Sequence, residues 1–135
     1  MPEKETLRRA RRDKRQGKAP STQAGEFVRE EIDHIREGKH GARSTKQAIA
    51  IGLSKARRAG VDLPPPDKGT TSRRTRRSAE SAYRAGQEHP NEPPSPARSR
   101  ATTRALKRES RAAVTHAALS AQAHASARRR HSRKK

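Results

Sequence analysis

The sequence predicts a mainly α protein, with a small two-helix hairpin core and flanking basic arms that are helical or disordered. Two observations indicate this fold class. Segment 21–66 holds nearly every large apolar side chain, and these side chains recur with helical spacing. The 135-residue chain is only 27% hydrophobic and carries a formal net charge of +20. This composition buries too little apolar surface to offset ordering entropy, so we expect disorder over most of the chain.

Composition divides the chain into four segments. They are a basic N-terminal helix or arm (1–20), the helical hairpin module (21–66), a linker containing Pro, Gly, Ser and a short helix (67–94), and an Ala- and Arg-rich basic C-terminal helix and tail (95–135). The last segment has 12 basic residues and 1 acidic residue, whereas the hairpin module has 8 and 6. A nearly balanced core beside a polycation indicates folding in one segment and electrostatic binding in the other.

Residues 3–16 are strong helix formers, and Gly17 and Pro20 end this segment. Only Leu7 and Ala10 can face a core. We therefore expect this first helix to be solvated all round.

The first core helix is predicted to begin after Ser21 or Thr22 and to run to about Glu37, with Gly38 as its stop. Its apolar stripe follows i, i+4, i+7 spacing and consists of Val28, Ile32 and Ile35, with Phe27 alongside. The other faces carry the acidic residues Glu26, Glu30, Glu31, Asp33 and Glu37. This acidic surface favours a packing role over phosphate binding.

The second core helix is predicted over residues 45–59. Ser44, followed three residues later by Gln47, has the spacing of a capping box, and Gly60 lies where a left-handed C-cap belongs. The packing face is predicted to contain Ile49, Leu53 and Ala56, and to be widened by Ala48 and by Ile51 or Gly52.

The remaining sequence predicts two further helices. A short one spans about 72–86, and its Tyr83 is expected to be a lone surface or docking contact. Ser95-Pro96 is a good N-cap and N1 pair, and the Ala-rich sequence after it can continue as a helix to about residue 127. The basic tail 128–135 is expected to stay mobile until it meets an anion.

The run GKHGARSTKQAIAIGLSKARRAG carries an S-x-x-Q-A-I-A-I-x-L-S-x-A signature that starts at Ser44. On these residues, segment 21–63 resembles a family of small, basic, uncharacterised bacterial proteins with a domain of unknown function. The resemblance implies a bacterial source and no established reaction. The C-terminal tail is similar in character to the tails of histone-like nucleoid proteins.

Catalysis and bound cofactors are not predicted. The chain has no cysteine, no P-loop and no GxGxxG pattern, and its composition cannot line a dry cavity. His34 and His40 flank the end of the first core helix and the following loop. Without cysteine or a packed second shell, however, a metal site is not favoured there. The acidic cluster Glu30, Glu31 and Asp33 is expected to be a solvated helix face.

Nucleic-acid binding has a direct physical basis, because a polycation displaces counterions condensed on phosphates and the planar fork of arginine suits phosphate oxygens. The predicted phosphate-binding residues are Arg43, Ser44, Lys46, Arg104, Lys107, Arg108, Arg111, Arg128, Arg129, Arg130, Arg133, Lys134 and Lys135. The first three lie at the start of the second core helix, where plain helix capping is the competing interpretation.

These observations predict a non-catalytic, largely sequence-nonspecific DNA-binding protein of the nucleoid-associated, histone-like kind in the bacterial cytoplasm, whose basic arms 1–18 and 96–135 bind phosphates. RNA or ribosome association through the same charges is one alternative. A second is a protein-interaction adaptor, and self-association through the hairpin is also open. No membrane partner is expected, because no apolar run approaches the ~20 residues of a membrane span. Helix-turn-helix reading is disfavoured, because the six-residue connection 38–43 is longer than that motif's turn.

Overall fold

The structure is a computed structural model that describes residues 2–90, 92–93 and 95–133, without the side chains of 132 and 133. Its elements are α1 (Lys4–Arg15), α2 (Pro20–Arg36), α3 (Thr45–Arg58), α4 (Arg73–Glu88), α5 (Pro96–Lys107), a 3₁₀ turn (Ala112–Val114) and α6 (His116–Arg133). The predicted mainly α class is confirmed for this part of the chain. None of the described helices is long and apolar enough to cross a membrane.

Serine side chains cap three of the helices. Ser44 accepts a hydrogen bond from the N–H of residue 47, and Ser72 and Ser95 make the same contact at the starts of α4 and α5. Gly38 and Gly60 adopt φ angles of +82° and +100° just beyond the ends of α2 and α3. Because L side chains rarely adopt these angles, the two glycines end their helices, as the sequence predicts.

Helices α2 and α3 pack side by side and run in opposite directions. Phe27, early in α2, shares one buried cluster with Ala56, late in α3. Ile35, late in α2, shares a second cluster with Ala48, early in α3. The pairing therefore places the connection between them, residues 37–44, beside the second cluster.

The contact between these helices depends on small residues of α3. A Cβ atom built on Gly52 would lie 2.6 Å from the Cα atom of Val28, so the two backbones nearly touch. Ile49 and Leu53 are only partly buried. The predicted face is confirmed for its smaller members Ala48, Gly52 and Ala56, and Leu53 packs at its edge, because close approach places the smaller residues inward. The buried residues of α3 are Ala48, Gly52, Ala56 and Arg57.

The core extends well beyond segment 21–66, so the prediction of a core confined to two helices is wrong. Helix α1 packs on α2 and α4 packs on α3, while the 3₁₀ turn contacts both α2 and α3. The buried residues that these elements add are Thr6, Ala10, Asp13, Ala79, Ala82, Gly86, Ala113 and Val114. Most of these residues are small, so the pattern of large apolar side chains does not predict their burial. The expectation that the first helix is solvated all round is likewise wrong.

Arg57 fixes the chain between α3 and α4. Its side chain is only 7% exposed and donates hydrogen bonds to the carbonyls of Leu63 and Pro64. Burial lowers the pKa of this guanidinium. A Cβ atom on Gly86 would lie 1.6 Å from the carbonyl oxygen of Arg57, so α4 passes directly over the end of α3.

The predicted continuous helix from residue 96 to about 127 is instead broken between α5 and α6. Val114, in the 3₁₀ turn, packs into the cluster formed by Ile35, Ala42 and Ala48. The N–H groups of Gly41 and Ala42 donate hydrogen bonds to the carbonyls of residues 106 and 110. Burying the turn requires the chain to leave the helical path, and α5 itself has no buried residue.

The glycine contact between α2 and α3 predicts opposite effects for two alanine substitutions. Gly52→Ala is expected to lower the free energy of unfolding by about 1–3 kcal/mol, because its methyl group overlaps the backbone of α2. Gly25→Ala is the control, since its Cβ meets no atom within 4 Å. That change should raise the free energy of unfolding by about 0.5–1 kcal/mol. Urea denaturation measures both, and stabilisation by Gly52→Ala would contradict the close contact.

Candidate functional site

Residues 96–131 present an exposed cationic surface. Its members are Arg98, Arg100, Arg104, Lys107, Arg108, Arg111, Arg128, Arg129 and Arg130. The ion pairs found among the described residues all join side chains between positions 3 and 80, so none involves these nine cations. Their charges are therefore available to an external anion.

This cationic surface is attached to the core at defined points. Arg111 donates a hydrogen bond to the carbonyl of Arg36 at the end of α2, at 3.4 Å. Thr45, at the start of α3, donates to the carbonyl of Ala113. In α6, Arg129 donates to the hydroxyl of Ser126 at 3.3 Å and remains exposed. The cations around the 3₁₀ turn are thus held against the folded part of the chain.

The predicted phosphate-binding residues occupy three places. Arg104, Lys107, Arg108 and Arg111 lie at and just after the end of α5, and Arg128, Arg129 and Arg130 lie in α6. Arg43, Ser44 and Lys46 lie at the start of α3. Arg133 ends α6, with its side chain outside the description, and Lys134 and Lys135 lie outside the described residues.

At the start of α3, capping hydrogen bonds use N–H groups that would otherwise be available to bind a phosphate. The hydroxyl of Ser44 accepts from the N–H of Gln47 at 3.1 Å, and the side chain of Gln47 accepts from the N–H of Arg43 at 2.5 Å. Two N–H groups thus have partners within the chain. The side chains of Arg43 and Lys46 are exposed.

Beside this surface lie buried carboxylates that the sequence reasoning placed in solvent. The expected solvated acidic face is wrong for Glu30 and Glu31, which are 3% and 0% exposed. Helix α1 covers the first, whose Oε1 accepts hydrogen bonds from the hydroxyl of Thr6 at 3.1 Å and the N–H of Glu3 at 2.6 Å. Helix α3 covers the second, whose Oε1 accepts from Nζ of Lys55.

Two histidines complete this polar cluster. Nε2 of His34 lies 3.1 Å from Oε1 of Glu3, and Nε2 of His40 lies 3.2 Å from Oε2 of Glu31. The hydrogen bond with His34 lowers the pKa of Glu3. Two groups of side chains, Glu31–His34–His40 and Glu3–Glu30–His34, bring three possible metal-ligand atoms within 4.8 Å of one another. The sequence signal was Glu31-x-x-His34, because residues three apart on a helix project side chains together.

A cleft of about 710 Å³ opens onto the polar cluster. Glu31, His34 and His40 contribute to one side, and hydroxyl-bearing residues of α5, including Ser99 and Thr102, contribute to another. The cluster is thus reached from solvent along the surface of α5.

Residues 11–67 match the model of DUF6496, which is described as a family of unknown function. The matched range contains the last five residues of α1 together with α2 and α3, and it ends before α4. It supports an uncharacterised domain over these residues. No curated protein and no solved structure matches the chain.

The ion pair between Glu31 and Lys55 predicts a large difference between two lysine substitutions in α3. Lys55→Met is expected to lower the free energy of unfolding by about 3 kcal/mol, because it leaves a fully buried carboxylate without its ammonium partner. Lys46→Met, on the same helix, removes an exposed lysine and should change that free energy by less than about 0.5 kcal/mol. Urea denaturation distinguishes the two, and equal effects would show that the buried pair is unimportant.

Proposed function

We propose that this chain is a non-catalytic protein that binds DNA largely without sequence preference, through contacts between exposed cations and phosphates. The observation that carries the proposal is the cationic surface of residues 96–131, whose nine side chains are exposed and form no ion pair within the described chain. We further propose a nucleoid-associated, histone-like role in a bacterial cytoplasm.

The energetics favour unpaired cations. A side chain that already contacts a carboxylate must give up that contact before it binds phosphate, whereas an unpaired one only displaces water and counterions. Each phosphate neutralised on duplex DNA releases condensed counterions, and this release drives the association. The acidic side chains of α2 pair with cations from α1 and α3, so α2 is the less suitable surface. Helix α1 also carries exposed arginines outside these pairs, among them Arg11 and Arg12.

The arrangement of the cations on the helices suits a phosphate backbone. Arg100, Arg104 and Lys107 follow i, i+4, i+7 spacing, which places them along one face of α5. In α6, residues 128–130 are three consecutive arginines, and successive helical residues point about 100° apart. The first set can follow one strand, and the second can reach phosphates in more than one direction.

The aromatic residues favour duplex DNA over single-stranded nucleic acid. The chain has one Phe, one Tyr and no Trp. Phe27 is fully buried, while Tyr83 is partly buried and donates its hydroxyl to Asp62. Binding of single strands usually relies on several exposed aromatic rings that stack on bases. This chain offers no such platform, so RNA binding through stacking is the weaker alternative.

The adaptor alternative receives less support, because α1 covers part of α2 and α4 covers part of α3. These contacts reduce the apolar surface that the α2–α3 pair can offer to a partner. Self-association through this pair stays a prediction.

A charge-matched pair of variants tests the DNA proposal. Replacing Arg128, Arg129 and Arg130 with Gln should weaken binding to a random-sequence duplex at fixed salt. It should also reduce the slope of log affinity against log salt by up to about 2.7, since each lost phosphate contact removes about 0.9. The control replaces three arginines that already contact carboxylates, Arg8, Arg9 and Arg76, with Gln, and it should weaken binding less. Fluorescence anisotropy across a salt series gives both quantities.

Two outcomes would overturn the proposal. One is weak binding of the unmodified chain that does not respond to salt, which would favour the adaptor. The other is preferential binding to an RNA hairpin in direct competition, which would favour RNA association. An equal loss in both variants would remove the special role of α6. Substitutions are preferable to deleting residues 96–135, because deletion would also remove Ala113 and Val114 from the core.

A further inference from the structure

We propose that Glu31, His34 and His40 form a binding site for a divalent transition-metal ion, with Zn²⁺ as the best-matched ion. The site is independent of the cationic surface, and the inference does not rest on DNA binding. It draws on side chains from α2 and from the loop between α2 and α3.

The donor atoms are already gathered. One ring nitrogen of each histidine and one carboxylate oxygen of Glu31 all lie within 4.8 Å of one another. Zn²⁺ binds histidine nitrogen and carboxylate oxygen at about 2.0–2.2 Å, so two ligand atoms in a tetrahedral site lie about 3.4 Å apart. Small side-chain rotations are enough to close this difference. The histidine side chains are 14% and 11% exposed, which limits their freedom before binding.

The hydrogen bonding of His40 orients one nitrogen as a ligand. Its Nδ1 lies 2.8 Å from the carbonyl oxygen of Gly41. A carbonyl only accepts, so Nδ1 carries the proton, and in the neutral ring Nε2 has a lone pair. That lone pair lies 3.2 Å from Oε2 of Glu31, a fully buried atom that accepts no hydrogen bond. In the neutral ring these two lone pairs repel each other, and a cation between them, either a proton on Nε2 or a metal ion, satisfies both.

Neighbouring groups hold the other ligand atoms in place. Lys55 donates to Oε1 of Glu31, which leaves Oε2 for the ion, and Glu3 contacts His34. Outer contacts of this kind orient metal-binding histidines and carboxylates. The cluster contains the negative charges of three carboxylates, Glu3, Glu30 and Glu31. The positive charges beside them are the ammonium groups of Lys39 and Lys55. The local balance therefore favours an additional cation.

The ligand types indicate the class of metal. Two imidazoles and one carboxylate suit Zn²⁺ and neighbouring transition metals, whereas Ca²⁺ and Mg²⁺ prefer oxygen ligands alone. Three protein ligands leave a fourth position of a tetrahedral site, and here the cleft of about 710 Å³ reaches the cluster. A water molecule or a small anion can fill that position from the cleft.

Metal titration of the full-length chain, prepared without a histidine tag, tests the proposal. Isothermal calorimetry with Zn²⁺ should show one tight site. His40→Gln and His34→Gln should each weaken it by more than about 10–100-fold, the loss typical of removing an outer-shell partner alone. His116→Gln is the control, because this histidine is exposed on α6, away from the cluster. It should leave the affinity of the tight site unchanged.

The decisive comparison is between the cluster variants and this control. Unchanged affinity in His40→Gln, or an equal loss in His116→Gln, would overturn the proposal and indicate surface binding. Should a cluster variant fail to fold, nuclear magnetic resonance of the histidine rings in the unmodified chain gives the answer. One equivalent of Zn²⁺ should shift the ring signals of His34 and His40 and leave those of His116 in place. A shift confined to the exposed histidines would also overturn the proposal.

Discussion

The close contact between α2 and α3 at Gly52 is the constraint on which the other packing depends. Because a Cβ atom at this position would lie 2.6 Å from the backbone of Val28, the two helices pack almost backbone to backbone. That distance brings Lys55 of α3 onto Glu31 of α2, and it aligns Phe27 and Ile35 with their alanine partners. A larger residue at 52 would separate the helices and open both apolar clusters and the ion pair.

A core built largely from alanine buries little area per residue, so the fold uses additional polar contacts between helices. Helix α1 joins α2 partly through the hydrogen bond from Thr6 to Glu30, and α3 joins α2 through the pair of Lys55 with Glu31. Such buried charges stabilise only when fully paired, since an unpartnered buried charge costs several kcal/mol. Two buried oxygens of this network, Oε2 of Glu30 and Oε2 of Glu31, have no hydrogen-bond partner, and the second lies 3.2 Å from Nε2 of His40. This second oxygen marks the place where the cluster has a remaining capacity to bind a cation.

Local signals in the sequence predicted most helix ends, but the predicted cap at Ser21 or Thr22 is wrong, since α2 begins at Pro20 after Ala19 with no side-chain cap. Serine caps and left-handed glycines are effects of neighbouring residues, so Ser44 and Gly60 could be assigned directly. The burial of Glu31 on the acidic face of α2 could not be predicted in this way. Residues of α3 cover Glu31, so its exposure depends on a contact between distant segments. The same reason explains the missed turn at Val114, whose burial requires a cluster formed by three other segments. Composition predicted the cations of the cationic surface, but it could not predict that they form no ion pairs among the described residues.

The loop between α2 and α3 links parts of the molecule that lie far apart in the sequence. Its Gly41 lies so close to the chain after α5 that a Cβ atom would meet the carbonyl oxygen of Glu109 at 2.0 Å, and the N–H of Ala42 is bonded to residue 110. His40, one residue earlier, belongs to the polar cluster around Glu31. Residues 40–42 thus connect the core, the proposed metal site and the chain that carries the cationic surface. Ordering of this loop by an ion at His40 would therefore also fix the direction in which α5 leaves the core.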